Sequence, residues 1–176
     1  MSAWVPMMTA EERERYRELL ATSNPIYAAT TIDGINRLLD KRRGRAYIYT
    51  ELGSDGVRVA FQLLLLMTPD RSDPDILKIV NAVPIGDYDP TTAAKLLGRQ
   101  VRVVLDEVGA TSCFGTPLLD YGDEKMNQFF KVMPELFWEM RPEEASTHGK
   151  IRFRFKRLSG RRTEDERFEG PALRAK

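Results

Sequence analysis

Apolar residues recur at helical spacing near the start of the chain and predict a first amphipathic helix. Thr9 and Glu12 have the spacing of a capping box, in which each side chain accepts a hydrogen bond from the backbone amide of the other residue. One face of the helix then carries Tyr16, Leu19 and Leu20. Asn24 and Pro25 are expected to end it, because proline cannot continue a helix.

A second helix is predicted to begin near Thr30 or Thr31. Its apolar face carries Ile32, Ile35, Leu38 and Leu39. Residues 41–43 (Lys-Arg-Arg) place cations at the negative end of the helix dipole. Gly44 is predicted to occupy the position just after the helix, where a left-handed conformation favours glycine.

Alternating apolar and polar residues predict three strands after these helices. They run over 45–52, 57–68 and 76–84, with a hairpin loop at 53–56. From Leu63 to Met67 the second strand is apolar on both faces, which predicts a central strand covered on both sides. The segment from Trp4 to Met8 can supply one further strand before the first helix.

A long helix is predicted after the third strand. Asp89 is a good N-cap, Pro90 suits the first helical position, and Gly109 stops the helix. Its apolar face comprises Ala93, Leu97, Val101, Val104, Leu105 and Val108. The remaining predicted elements are a strand over 110–119, a helical stripe from Met126 to Met140 broken at Pro134, and a strand over 150–158.

The composition of this 176-residue chain limits the ligands and the cellular location that can be expected. A net charge of +1 gives no field that favours nucleic acid or an anionic membrane. The one cysteine, Cys113, is expected to be an inert buried residue, and the one histidine, His148, argues against a histidine-based metal site or triad. The N-terminus lacks the basic and apolar regions of a signal peptide, and the apolar run at 63–67 is too short for a bilayer. We therefore expect a cytoplasmic protein.

The order of these elements resembles the fold of the GCN5-related N-acetyltransferase (GNAT) family, from residue 30 to residue 158. The resemblance implies an α/β (α+β) class, with a central mixed, mostly antiparallel sheet flanked by helices on both faces. We expect residues 1–158 to form a single domain of this kind and residues 159–176 to form a polar tail.

One local match to the family departs from the family pattern. After the penultimate strand, family members often carry an Asn, an Ala three residues on, and then a Phe-Tyr pair. The corresponding residues here look like Asp123, Met126, Phe129 and Phe130. In the family the tyrosine is often the acid that protonates the departing thiolate of CoA, and Phe130 has no ionisable group for that role.

The turn before the long helix corresponds to the pyrophosphate loop of the family, and it differs more. The family loop is Arg or Gln, two residues, Gly, one residue, then Gly or Ala, so that backbone amides reach the phosphates. Residues 83–93 contain one glycine and no arginine, and Pro90 removes an amide. Asp87 and Asp89 would lie where the phosphates bind. The resemblance therefore implies a degenerate member of the family.

The resemblance also suggests candidate site residues. If acyl-CoA binds, the residues that contact it are expected to be Val83, Ile85, Gly86, Thr91 and Thr92. Glu51, Asp87 and Tyr88 are the candidates for a general acid or base, and no metal site is predicted. The structural alternatives are that Asp89 serves only as an N-cap and that Tyr88 is only a half-packed turn residue.

Three functional hypotheses remain open. The first is a GNAT-fold protein that has lost acetyl transfer and serves as a binding or structural subunit of a larger assembly, a virus-like one included. The second is an active acyl-CoA-dependent N-acetyltransferase with a non-standard loop, whose cofactor would be acetyl-CoA. The third is an unrelated α+β interaction domain that shares the element order by chance. We favour the first, with a protein partner or a second copy of the chain and with no cofactor, membrane or nucleic acid.

The last predicted strand carries a basic row, which comprises Arg152, Arg154 and Lys156. Such a row could bind phosphate, nucleic acid or an acidic partner. The simpler interpretation is a solvated strand face, or an edge strand that its charges protect from further pairing, and we favour it.

Overall fold

The structure, a computed structural model, describes residues 3–40, 44–115, 139–143 and 152–156. The helices are α1 (Ala10–Ser23), α2 (Ile32–Leu39) and α3 (Pro90–Val108), and a 3-10 turn spans Pro25–Tyr27. The strands are β1 (Trp4–Pro6), β2 (Arg45–Leu52), β3 (Val59–Pro69), β4 (Ile76–Gly86), β5 (Ser112–Gly115), β6 (Glu139–Glu143) and β7 (Arg152–Lys156). The chain divides into two compact units, the first being Met1–Pro69 with Val80–Tyr88 and the second Asp70–Ile79 with Asp89–Lys176.

Strand β4 contributes residues to both units. In the first unit the strand order is β1-β2-β3-β4, and in the second it is β4-β5-β7-β6. Strands β1, β2 and β3 pair antiparallel, β4 and β5 pair parallel, and β7 pairs antiparallel with both β5 and β6. The fold is therefore α+β with a mixed sheet, as predicted. The N-terminal segment does supply a first strand, at Trp4–Pro6.

Helices α1 and α2 begin where their capping residues predict. Thr9 and Glu12 form the capping box, with the amide of Thr9 donating to Glu12 Oε2 at 2.8 Å and the amide of Glu12 donating to Thr9 Oγ1 at 3.2 Å. The side chain of Thr31 caps α2 by accepting from the amide of Gly34. These caps satisfy helix-end amides that would otherwise lack a partner.

The core of the first unit lies between these helices and the sheet. Its buried members are Met7, Tyr16, Leu20, Ile35, Leu39, Ala46, Ile48, Leu64 and Leu66. Between the helices, the guanidinium of Arg13 donates to Asn36 Oδ1 at 3.2 Å and to Asp40 Oδ1 at 3.1 Å. Residues Leu63 to Met67 of β3 are fully buried, which confirms the predicted central strand.

A buried polar network connects α1 with β4 inside the first unit. The hydroxyl of Tyr16 donates to Asn81 Oδ1 at 3.3 Å, and Asn81 Nδ2 donates to the carbonyl of Val80 at 3.0 Å. Tyr27 also hydrogen-bonds the side chain of Asn81. Burial raises the pKa of Tyr16 well above its ordinary value, so its hydroxyl remains a donor. A satisfied network of this kind stabilises the helices on the sheet in one arrangement.

The predicted role of Gly44 is wrong. Helix α2 ends at Leu39 with Asp40 as its C-cap, so Gly44 is too far along the chain to terminate it. Gly44 is buried, and a Cβ atom there would lie 2.4 Å from the carbonyl oxygen of Leu38 and 3.1 Å from the Cα of Leu39. The glycine is required because β2 starts against the last turn of α2. Residues 41–43 lie outside the described residues.

Helix α3 of the second unit matches its prediction closely. Asp89 is its N-cap, Pro90 is its first residue, and Gly109 ends it in a left-handed conformation with φ +69°. All six residues of the predicted apolar stripe are buried. The parallel ladder of β4 and β5 pairs Ile76–Ile79 with Ser112–Gly115.

The prediction of a helix as far as Met140 is wrong. Met140 lies in strand β6, where its Cα pairs with that of Phe155 in β7. Pairing with the following strand has outweighed the local helical spacing. Pro142 is tolerated because β6 is the last of the described strands in the order, and a strand in that position can lack one donor. The predicted stripe from Met126 to Pro134 lies outside the described residues.

Replacing Gly44 with Ala tests the close approach of β2 to α2. The new Cβ would clash with backbone atoms, which cannot move away as a flexible side chain would, so we expect a loss of about 1–3 kcal/mol in the free energy of unfolding. Urea denaturation measures this loss. Gly53→Ala is the control, because its Cβ would have only ordinary contacts at 3.6 Å and stability should change by less than about 0.5 kcal/mol. Equal stability of the two variants would contradict the assignment.

Candidate functional site

The start of helix α3 uses most of its own hydrogen-bonding capacity. The carboxylate of Asp89 accepts from the amide of Thr92 at 2.9 Å and from the hydroxyl of Thr92 at 2.8 Å. The amide of Ala93 donates to the carbonyl of Asp89, which is the first intrahelical bond. Pro90 has no amide to donate. Of the first three helical positions, two therefore offer no amide to a ligand.

The charge at this helix end is negative. The hydrogen bond from the amide of Thr92, and then the one from its hydroxyl, lower the pKa of Asp89, so the carboxylate is ionised at neutral pH. A helix N-terminus normally attracts anions through its free amides and dipole. Here a fixed carboxylate occupies that position, so the site does not fit a phosphate group.

The turn that ends β4 is shaped by its contact with β3 in the first unit. Gly86 has φ +100°, and a Cβ there would lie 2.7 Å from the carbonyl oxygen of Ala60 and 3.1 Å from the Cα of Phe61. The amide of Asp87 donates to that same carbonyl at 3.0 Å. Gly86 is explained by this close approach of two strands, and the amide of Asp87 is also unavailable to a phosphate.

The other residues suggested for a cofactor are placed as follows. The side chains of Val83 and Ile85 are partly buried against the hydrophobic core of the first unit, so they have a structural role there. Thr91 is half-buried, and Thr92 is exposed and bonded to Asp89. Their assignment to acyl-CoA stays a prediction.

The three acid or base candidates differ in their surroundings. Glu51 is half-buried, and its carboxylate accepts from the hydroxyl of Tyr49. Asp87 is exposed, and Tyr88 is half-buried as the structural alternative predicts. All three belong to the first unit. Their catalytic roles also stay predictions.

Sequence reasoning missed a row of aromatic rings that crosses three strands of the first unit. The rings of Trp4 in β1 and Tyr49 in β2 have centroids 5.4 Å apart, and those of Tyr49 and Phe61 in β3 are stacked with centroids 6.0 Å apart. Glu51 lies at the end of this row, because its Cα pairs with that of Phe61. The alternation of β2 predicts which face of the strand carries Tyr49. Only the registers of β1 and β3 bring the rings of Trp4 and Phe61 next to it.

Other candidate chemistry is restricted by burial. Cys113 is fully buried, and burial raises the pKa of its thiol, so it is the inert residue predicted.

In the described ranges, no group of three or more potential ligands from His, Cys, Asp and Glu could hold a metal ion. No helix within those ranges is both long and apolar enough to cross a bilayer. His148, Asp123, Met126, Phe129 and Phe130 lie outside the described residues.

The basic strand does not lie at an edge. Strand β7 lies between β5 and β6, so the alternative of a charged edge strand is wrong. The register places Glu139 opposite Lys156 and Glu143 opposite Arg152. In this register the partners of the two outer basic residues are acidic residues of β6, and the partner of Arg154 is Arg141. Binding of an anion by this row stays a hypothesis, and so does the simpler interpretation of a solvated strand face.

Comparison with solved structures identifies the fold. No protein-family model and no curated protein sequence matches the chain. An acetyltransferase of Bacillus subtilis in complex with CoA is 13% identical, with a TM-score of 0.58 over 90% of this chain and 100% of that one. A structure assigned to the GNAT family from Desulfovibrio desulfuricans is 12% identical, with a TM-score of 0.60 over 89% and 99%. An aminoglycoside 6'-N-acetyltransferase from Enterococcus faecium is 9% identical, with a TM-score of 0.57 over 91% and 99%.

These likenesses show that the chain has the GNAT fold, as its element order predicts. The hypothesis of an unrelated fold that shares this order by chance does not hold. At such low identities the likeness concerns the fold alone, and function depends on the residues at the site.

Removal of the Asp89 cap should destabilise the protein in a pH-dependent way. At neutral pH we expect Asp89→Ala to lower the melting temperature by about 2–4 °C, because the amide of Thr92 loses its acceptor. Asp89→Asn keeps an acceptor and should lose less. Because the cap lowers the folded-state pKa of Asp89, its ionic contribution is present above the ordinary pKa of aspartate and is lost as pH falls through the lowered value.

Thermal melts of the wild type and both variants, followed by circular dichroism from neutral to acidic pH, measure this effect. The advantage of the wild type over Asp89→Ala should shrink towards acidic pH, whereas the advantage of Asp89→Asn over Asp89→Ala should persist. A wild-type advantage that is independent of pH would show that the carboxylate does not act as the cap.

Proposed function

We propose that this GNAT-fold chain is a binding or structural subunit that does not transfer acetyl groups from acetyl-CoA. The observation that carries the proposal is the closed N-terminus of α3, where Asp89 caps Thr92 and Pro90 lacks an amide. Its partner would be another protein or a second copy of the chain, within a larger assembly of which a virus-like particle is one form.

Electrostatics supports this proposal. Acetyl-CoA carries a pyrophosphate, and the resemblance to the GNAT family implies that backbone amides at this turn hold it. Asp89 is ionised and holds the amide of Thr92, and the amide of Asp87 already donates to Ala60. A phosphate at this turn would be repelled by the carboxylate of Asp89 and would lack the amide donors of Thr92 and Asp87. The residues present therefore do not fit the pyrophosphate.

One observation favours a second candidate, an acyl-CoA-dependent N-acetyltransferase with a non-standard loop. In the described residues the ladder of β4 with β5 covers Ile76–Ile79, and β4 continues through the seven residues 80–86. Main-chain groups along that continuation could hydrogen-bond the amide groups of a pantetheine arm. The Bacillus subtilis neighbour is a complex with CoA, which is consistent with this alternative. Glu51, Asp87 and Tyr88 would then be its acid and base candidates.

Calorimetric titration of the purified chain with acetyl-CoA separates the two candidates. The proposal predicts no saturable binding at millimolar acetyl-CoA and no acetyl transfer to a panel of primary amines. The native mass of the same sample should reveal whether the chain self-associates. Micromolar binding of acetyl-CoA would contradict the proposal and favour the transferase.

A further inference from the structure

Strand β4 contains a proline, Pro84, in the part that belongs to the first unit. Proline has no backbone N–H, so within a sheet it is found where its nitrogen faces away from a hydrogen-bonded neighbour. Strand β3 is the neighbour of β4 in the first unit, and its ladder uses the amides of β4 that point towards it. The direction in which the nitrogen of Pro84 points therefore decides which side of β4 lacks a donor.

One hydrogen bond at the end of β4 gives that direction. The amide of Asp87 donates to the carbonyl of Ala60 at 3.0 Å, so the end of β4 meets the start of β3, as in an antiparallel pair. Residues two apart along such a strand point their main-chain groups the same way, so the amides of Ile85 and Val83 also point towards β3. The nitrogen of Pro84, which lies between them, points away from β3.

The packing of side chains agrees with this alignment. Counting back along β4 from Asp87 and forward along β3 from Ala60 brings Val83 opposite Leu64, and opposite residues share a face of the sheet. Leu64 is a buried member of the hydrophobic core of the first unit, and Val83 and Ile85 pack against the same core. The side chains and the hydrogen bond therefore indicate one and the same alignment.

The outer side of β4, which faces away from β3, is consequently poor in donors. Over residues 82–86 its outward main-chain groups belong to Ala82, Pro84 and Gly86, which offer three carbonyls but only two amides. Those two amides are four residues apart, about 13 Å along a strand. Ala82 and Pro84 are half-buried and Gly86 is exposed. In the described residues the ladder with β5 ends at Ile79, before this stretch begins.

We infer that Pro84 prevents β4 from holding the pantetheine arm of an acyl-CoA. An extended arm with amide groups binds along a strand edge through alternating main-chain donors and acceptors. At Pro84 an amide carbonyl of the arm loses its water and gains no donor in return. This inference deepens the proposed function and rests on it, since it concerns the same cofactor. It gives a second reason for the loss of acetyl-CoA binding, and this reason does not involve the charge of Asp89.

Hydrogen exchange tests the orientation of residue 84. Pro84→Ala introduces an amide at that position, and NMR measures how fast this amide exchanges with solvent. We expect it to exchange at least about tenfold faster than the amides of Val83 and Ile85, which bond to β3. Slow exchange of those two amides shows in the same spectrum that the variant is folded. Equal protection of all three amides would overturn the inference.

Titration with S-acetylpantetheine tests the consequence for binding. This probe is the arm of acetyl-CoA without its nucleotide and phosphates, so the negative charge at the start of α3 does not repel it. We expect Pro84→Ala to bind the probe about five- to tenfold more tightly than the wild type, as measured from the shifts of the Ala82 and Gly86 amide signals. Pro6→Ala is the matched control, because Pro6 is an exposed proline of β1, and its replacement should leave the affinity unchanged.

Equal affinities of Pro84→Ala and the wild type for S-acetylpantetheine, or no binding by either at millimolar probe, would overturn the inference. That result would refute only the role of Pro84 and leave the charge of Asp89 as the barrier to the cofactor. Micromolar binding of acetyl-CoA by the wild type would instead refute the proposed function itself. The two failures are therefore distinguishable.

Discussion

The carboxylate of Asp89 accepts from both the amide and the hydroxyl of Thr92, and the intervening Pro90 fixes the first turn of α3 without an amide of its own. An N-terminus of this kind is stable without a ligand because its own side chain satisfies the backbone. The interaction that starts the helix thus also places a negative charge at the helix N-terminus, where it would repel a phosphate. The proposed function depends on both effects of Asp89, the helix cap and the negative charge.

In the first unit, two groups of the turn that could approach a phosphate are used instead for contact between β4 and β3. Gly86, the one glycine of the turn, is needed for the approach of β4 to Ala60 and Phe61, and the same contact occupies the amide of Asp87. The fold is shared with acetyltransferases, and the residues at this turn decide whether their chemistry is shared as well.

The elements that the sequence predicted well are those with local causes. Strand β2 runs over Arg45–Leu52 as its alternation indicates, and the caps at Thr9 and Asp89 depend on residues three positions away. The errors have causes that lie outside the local pattern, in contacts with another element. Gly44 is explained by the position of β2 against α2, and Met140 by pairing with β7. The aromatic row requires the registers of three strands, which no single stretch of sequence contains.

The most direct test of the account is to reopen the start of α3. The variant Asp87→Asn/Asp89→Asn/Pro90→Ala removes two carboxylates, restores an amide and keeps an acceptor for Thr92. The control makes the same three kinds of change at exposed residues of the β3–β4 loop, as Asp73→Asn/Pro74→Ala/Asp75→Asn. We expect calorimetry at millimolar acetyl-CoA to find saturable binding by the reopened variant and none by the control. Equal affinities would contradict the claim that Asp87, Asp89 and Pro90 exclude the pyrophosphate.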